Sequence, residues 1–223
     1  MPIKLVTLNI EGSKHLDRVI PFLTKEKADV ICLQEVFLKD FKKISDALCT
    51  SGKFFPTTNV NKINKYKIDL NGECGVVLLT NLPNNGIKHH YYFGSGNSPI
   101  FTDGDLIDRV LVYTEITKNS RTYRIGTTHF TWTPDGKPTE QQWKDFHNLM
   151  GFIKNFDDFI LCGDFNAPRG REIFTEFTKD LKDNLPKDVV STLDPKYHRV
   201  PTLQWTPYSA RIIQSLMSKL LMA

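Results

Sequence analysis

The chain has 223 residues, 40% hydrophobic and 24% charged, with a net charge of +4. That length supports one large α/β domain or two small ones with an ample core, and the composition is that of a soluble globular protein. The mild positive charge permits an anionic substrate without demanding a nucleic acid, and no apolar run approaches the ~18 residues of a membrane span. The cysteines at 32, 49, 74 and 162 show no CxxC spacing and suggest no disulfide framework. With no signal-peptide pattern ahead of the first strand, the expected compartment is the reducing cytoplasm. Cys32 and Cys162 fall inside apolar runs and read as small buried hydrophobes.

Ile3 to Leu8 reads as a first strand, ending in Asn9-Ile10-Glu11-Gly12. A helix follows with Leu16, Val19, Ile20 and Leu23 on one face, and it tolerates Pro21 if Asp17 caps it and Pro21 falls near the first turn. Asp29 precedes a second strand, Val30 to Leu33, which runs into Gln34-Glu35. Strand, helix and strand over about thirty residues make a βαβ unit. Its two strands are parallel, so Asn9 and Glu35 arrive as neighbours on one sheet edge.

Phe37, Phe41, Ile44 and Leu48 mark a second amphipathic helix. The polar stretch from Thr57 to Asn71 reads as an exposed loop. The lysines from Lys53 to Lys67 offer a basic group to a polyanion, whereas Lys25 to Lys27 and Lys39 to Lys43 read as solvated helix faces. Gly75 to Leu79 is a third strand and His89 to Phe93 a fourth, with His89-His90 on a wet strand face rather than on a metal. Gly94 to Ser98 resembles a phosphate loop in composition alone, because no helix pattern follows it.

Val110 to Ile116 and Tyr123 to Phe130 read as an antiparallel pair joined at Lys118-Asn119-Ser120. Thr139 and Gln142 form a capping box. They open a helix whose apolar face is Trp143, Phe146, Met150 and Ile153, and this helix feeds a strand at Phe159 to Cys162. That crossover makes the strand parallel to the one ending in His129. Beyond Gly163, Asp164 and Asn166 project the same way, since side chains alternate along extended backbone. Taken alone they suit a strand-terminating turn as well as a site. A lone histidine beside a core strand is usually structural, but His129 stands at a strand end across a crossover from Asp164 and Asn166. Four strand ends thus supply Asn9, Glu35, His129, and Asp164 with Asn166. Two carboxylates among neutral donors suit a hard, partly hydrated cation, Mg²⁺ or Mn²⁺ rather than zinc.

Thr7-Leu8-Asn9-Ile10-Glu11-Gly12, Leu33-Gln34-Glu35-Val36, Thr128-His129-Phe130 and Gly163-Asp164-Phe165-Asn166 occur in this order. In this the chain resembles the endonuclease/exonuclease/phosphatase superfamily of DNase I-like proteins over about residues 3 to 205. The resemblance implies an α/β fold, a four-layer α/β/β/α sandwich of two mixed β-sheets flanked by helices, with residues 1–205 as the domain and 206–223 as an atypical tail. It implies Glu35 as the principal metal ligand with Asn9 and Asp164 beside it, Mg²⁺ or Mn²⁺ as cofactor, and Asp164, His129 and Asn166 as the catalytic set. Asn9, Asn166, His129 and Arg109 are then the phosphate-binding residues, and a phosphodiester, including nucleic acid, is the substrate of a monomer.

One departure qualifies that expectation. The family's late strand with its Asp, and its terminal Ser-Asp-His, are not found in this sequence. Ile212, Ile213, Leu216, Met217, Leu220 and Leu221 recur instead at helical spacing, so the tail is expected to be helical and the sheet to lack C-terminal strands. The resemblance then implies an impaired catalyst, whether the tail is natural or the result of frameshift or truncation. Two other readings stand beside it: a non-catalytic module binding phosphate or a partner, and a phospholipid phosphodiesterase meeting an anionic surface through its basic loop.

Overall fold

The computed structural model describes residues 3–61, 70–101, 107–133, 136–189 and 217–219. In chain order its elements are β1 (Leu5–Asn9), a 3₁₀ turn (Gly12–His15), α1 (Leu16–Glu26), β2 (Val30–Phe37), α2 (Leu38–Leu48), β3 (Gly52–Val60), β4 (Gly72–Thr80) and β5 (Lys88–Phe93). Then come β6 (Ile100–Phe101), β7 (Arg109–Lys118), β8 (Arg121–His129), α3 (Glu140–Ile153), β9 (Phe159–Asp164), α4 (Glu172–Asp180), β10 (Lys182–Asp183) and β11 (Met217–Lys219). A five-stranded sheet has the order β1-β2-β4-β3-β6, and a six-stranded sheet the order β10-β11-β9-β8-β7-β5. Both are mixed: β1 runs parallel to β2 and β8 parallel to β9, as their crossover helices require, while β2–β4 and β7–β8 are antiparallel.

Three buried clusters separate four layers. Leu16, Val19 and Leu23 of α1 and Ile44 of α2 cover Ile31, Leu33, Val77 and Leu79 on one face of the first sheet. Val30, Cys32, Val76 and Leu78 turn the other way and meet Val110, Val112, Ile125 and Cys162 of the second sheet. Phe146, Leu149, Met150 and Ile153 of α3 and Phe177 of α4 cover that sheet's outer face. Alternation along β2, from Val30 through Leu33, is what lets one apolar strand serve two cores. Among the described residues no helix is long and apolar enough to cross a membrane.

Local readings are corrected at several points. Asp17 does not cap α1: the N-cap is His15, without a side-chain cap bond, and Pro21 lies inside the helix. The polar run from Thr57 does not begin a loop. Thr57 and Thr58 are buried in β3, because their hydroxyls donate to the carbonyls of Cys74 (3.1 Å) and Pro99 (2.9 Å) and so lose little by leaving water. Residues 62–69 of that stretch, and with them much of the basic loop, lie outside the described residues. So does most of the 206–223 tail, including its boundary with the domain. Its described part, Met217–Lys219, is a strand rather than a helix, antiparallel to β9 with Met217 opposite Leu161. The open edge of β9 offers backbone donors and acceptors that a helix cannot satisfy, and that demand outweighs the helical spacing. A short strand therefore stands where terminal strands were expected to be missing.

Candidate functional site

The site forms where the ends of β1 and β2 meet the ends of β8 and β9. The registers put Asn9 opposite Gln34 and His129 opposite Asp164. Aromatic anchors fix which way the polar residues point. Phe130, one residue beyond His129, and Phe165, between Asp164 and Asn166, both pack edge-on against Phe177 with ring centroids 5.2 Å apart. Burying each of those rings is worth about 1.5–3 kcal/mol. With the phenylalanines held in the outer core, their chain neighbours are turned to the strand ends.

Backbone strain sharpens the placement. Glu35 has φ 55°, and it falls in the register shift between Leu33 and Val36 of the β2–β4 pair. A bulge re-aims one side chain without disturbing the rest of the strand. A non-glycine residue held there costs of order 1–3 kcal/mol, which fits a functional position better than a structural one. Asn166 is also left-handed, at φ 46°, a conformation that Asn tolerates. Gly163 has φ 134°, and a Cβ on it would lie 2.0 Å from the Thr128 carbonyl oxygen. Only glycine lets β8 and β9 approach so closely just before His129 and Asp164.

The polar groups form one connected cluster. Asn9 Nδ2 donates to Glu35 Oε1 at 2.9 Å and to Asp164 Oδ2 at 3.0 Å, so one amide from β1 joins carboxylates from both sheets. Asn9 Oδ1 is held by the Glu11 N–H at 3.0 Å, which fixes the amide's orientation. His129 Nε2 lies 3.7 Å from Asp164 Oδ2 and 3.9 Å from Glu35 Oε1. Asp164 Oδ1 accepts from the Asn166 N–H at 3.1 Å, and Asn166 Nδ2 donates to the Phe130 carbonyl at 2.9 Å. Asn166 Oδ1 is buried without a hydrogen-bond partner among the described residues.

Burial separates the two carboxylates. The Asp164 side chain is fully buried and that of Glu35 is 27% exposed. Burial, the largest influence, raises the Asp164 pKa above its ordinary value; His129, the Asn9 amide and the Asn166 N–H oppose this, while the charge of Glu35 adds to it.

All five strand-end residues read from the sequence are therefore brought together. Arg109 is not at the rim. It is buried, and its Nη1 donates to the carbonyls of His129 (3.1 Å) and Phe130 (3.2 Å) from behind the site. The capping box is only half made. Thr139 Oγ1 accepts from the Gln142 N–H, but the Gln142 side chain donates to the Thr131 carbonyl at 2.7 Å, tying α3 to the loop after His129. Thr131 also donates to the buried Asp145, which Gln141 holds at 2.7 Å. Apart from Gln142, read as a cap, these bracing residues were not read from the sequence. The one signal was an acidic residue, Asp145, next to Phe146 on the apolar face of α3.

Among the described residues no group of three or more His, Cys, Asp or Glu is gathered as a metal site. The donors present still fit a hard divalent cation, since Mg²⁺ keeps several waters and takes one or two protein carboxylates. Glu35 and Asp164 converge on one amide, and the orphaned Asn166 Oδ1 leaves an oxygen acceptor beside them.

A sequence profile described as the endonuclease/exonuclease/phosphatase family matches residues 6–214. No curated protein matches the chain in sequence. Solved structures share its fold. The human Nocturnin catalytic domain with bound sulfate is 17% identical, with 98% of this chain and 83% of that one covered and a TM-score of 0.63. The mannosyl-6-phosphatase of Bacteroides thetaiotaomicron is 11% identical over 98% and 85%, TM-score 0.67. D. rerio TDP2, complexed with a single-strand DNA product, is 12% identical over 97% and 83%, TM-score 0.64.

Proposed function

The chain belongs to the endonuclease/exonuclease/phosphatase family, and from that premise we propose that it is a divalent-cation-dependent hydrolase of phosphate esters, with phosphodiesters as the leading substrate class. The observation that carries this reading is the Asn9 amide shared by Glu35 and Asp164, with the unpartnered Asn166 oxygen and His129 on the same strand ends. Glu35, with Asn9 and Asp164 nearby, would hold Mg²⁺ or Mn²⁺. A cation bound there supplies Lewis-acid stabilisation of charge on the phosphoryl oxygens.

The chain's own residues do the rest. Asp164 orients the attacking water and takes up its proton; burial raises its pKa and so improves it as a base. The Asn166 carbonyl oxygen, without a donor among the described residues, accepts from that water. His129, with its Nε2 3.7 Å from Asp164 Oδ2 and 3.9 Å from Glu35 Oε1, brings an imidazole to the strand ends where charge grows on the phosphoryl oxygens. Asn9 keeps the two carboxylates apart and oriented. Among the solved relatives, one is named as acting on a sugar phosphate and another holds a DNA product, so ester class is left for experiment.

A second reading is that the site binds phosphate without turning it over. The test is hydrolysis of a panel in Mn²⁺: bis-p-nitrophenyl phosphate, a sugar 6-phosphate, labelled single-stranded DNA and RNA, and a phospholipid. Turnover abolished by EDTA and restored by Mn²⁺ is expected. Metal-dependent phosphate binding without any turnover favours the second reading, and neither binding nor turnover contradicts both.

A further inference from the structure

Arg109 opens β7, the strand that pairs with β8 behind the site, and only 7% of it is exposed. A buried guanidinium is normally met by a carboxylate. Among the described residues, none stands within ion-pair distance of Arg109. Its partners are instead two consecutive carbonyls, those of His129 and Phe130.

Phe130 is a junction. Its N–H donates to the Asp164 carbonyl at 2.8 Å, and its own carbonyl also accepts from Asn166 Nδ2 at 2.9 Å. The two peptide groups flanking Phe130 therefore join the strand end of His129, the backbone of Asp164 and the side chain of Asn166, and Arg109 binds the carbonyl of each. Burial, the largest influence, lowers the Arg109 pKa, and the carboxylates of Asp145, Asp164 and Glu35 oppose this. Arg remains charged even when buried. Its field thus reaches the cluster that a phosphate must approach, without touching it.

We propose that Arg109 is a positioning residue for phosphate-ester hydrolysis, which holds His129 and Asn166 in register through the peptide groups flanking Phe130 and offsets the charge of Asp164 and Glu35 for an incoming anion. This rests on the hydrolase reading above. A role at the rim makes a different forecast, because loss of a direct phosphate contact appears in KM. Loss of positioning appears in kcat, where a displacement of about 1 Å costs up to ~10²-fold.

The experiment compares the parent, Arg109→Met and Arg109→Lys by steady-state hydrolysis of bis-p-nitrophenyl phosphate in Mn²⁺, and by the ¹H–¹⁵N resonance of the Asn166 side-chain amide in the metal-free proteins. Arg109→Met is expected to lower kcat by roughly 10²-fold with KM little changed, and to shift the Asn166 amide resonance toward that of a free side chain. Arg109→Lys keeps the charge but carries it as a compact ammonium on a flexible stem in place of the planar guanidinium whose Nη1 meets both carbonyls, so it is expected to recover part of kcat and part of the shift. A KM effect at constant kcat, or an unmoved Asn166 resonance, overturns the proposal. Should Arg109→Met not fold, Arg109→Lys decides: intermediate values support positioning, and parent values in both measurements overturn it. Absence of turnover in the parent strikes the hydrolase reading alone, and the Asn166 resonance still decides whether Arg109 positions it.

Discussion

The two sheets contribute unlike halves to the site. The first supplies Asn9 and Glu35 on a bulged strand end, with the Glu35 carboxylate partly open to water. The second supplies His129, Asp164 and Asn166 on a braced end, where a glycine contact, two phenylalanines, Arg109 and Gln142 hold the backbone. An accessible carboxylate suits exchange of a hydrated cation, whereas a buried one suits a proton transfer that needs fixed geometry. On the proposed reading the division of labour is set by burial as much as by residue type: two carboxylates joined by the same amide would do different work.

The most damaging change should fall on the braced half. Asp164→Asn is expected to cost about 10²–10⁴ in rate, the scale of a positioned proton transfer, and it also carries a stability signature. Because burial raises the Asp164 pKa above 3.8, its protonated form is the one that suits the fold. The stability associated with that proton is present below the unfolded pKa and is lost as pH rises through the folded value. In metal-free buffer the melting temperature of Asp164→Asn should therefore gain on the parent as pH climbs above about 4. A difference that stays constant with pH would contradict the burial argument.

Next in size come His129→Ala, expected to lower turnover by roughly 10²–10³-fold, the cost of losing one donor to developing charge, and Asn166→Ala, expected to cost about 10²-fold by releasing the water that its carbonyl oxygen would orient. Calorimetric titration of both with Mn²⁺ sharpens the contrast. Affinity close to the parent's keeps these residues on the phosphate side, and lost affinity moves them to the cation. The smallest effect is expected at Gln142→Ala, which removes one hydrogen bond to the Thr131 carbonyl. A loss of about 1 kcal/mol in urea unfolding, with a modest drop in kcat, fits a brace. No change in either would show that α3 does not steady the loop after His129.

How much of this could be read from the sequence follows from what periodicity can express. Parallel pairing of β1 with β2 and of β8 with β9 followed from two helical crossovers, and pairing at strand ends brought Asn9, Glu35, His129, Asp164 and Asn166 together. The bulge that turns Glu35 was not legible, because Leu33-Gln34-Glu35-Val36 continues without a break and the register shift is imposed by β4. The place of Arg109 was not legible either: at the start of a strand it reads as a rim cation, and only its hydrogen bonds to the carbonyls of His129 and Phe130 turn it into a support. Buried threonines in β3 misled the polar count for a similar reason. Their partners, the carbonyls of Cys74 and Pro99, are distant in the chain. The tail's apolar spacing described a helix, whereas Met217–Lys219 answers the edge of β9.

The central claim is that both halves meet on a single cation, and paramagnetic broadening tests it most directly. Substoichiometric Mn²⁺ is added to ¹⁵N-labelled parent and Glu35→Gln proteins while the asparagine side-chain amides are followed. In the parent, Asn9 and Asn166, one from each sheet, are expected to broaden together while the surface residues Asn84 and Asn155 stay sharp; in Glu35→Gln both should remain sharp. Broadening of Asn9 without Asn166, or equal broadening in the variant, would contradict the account.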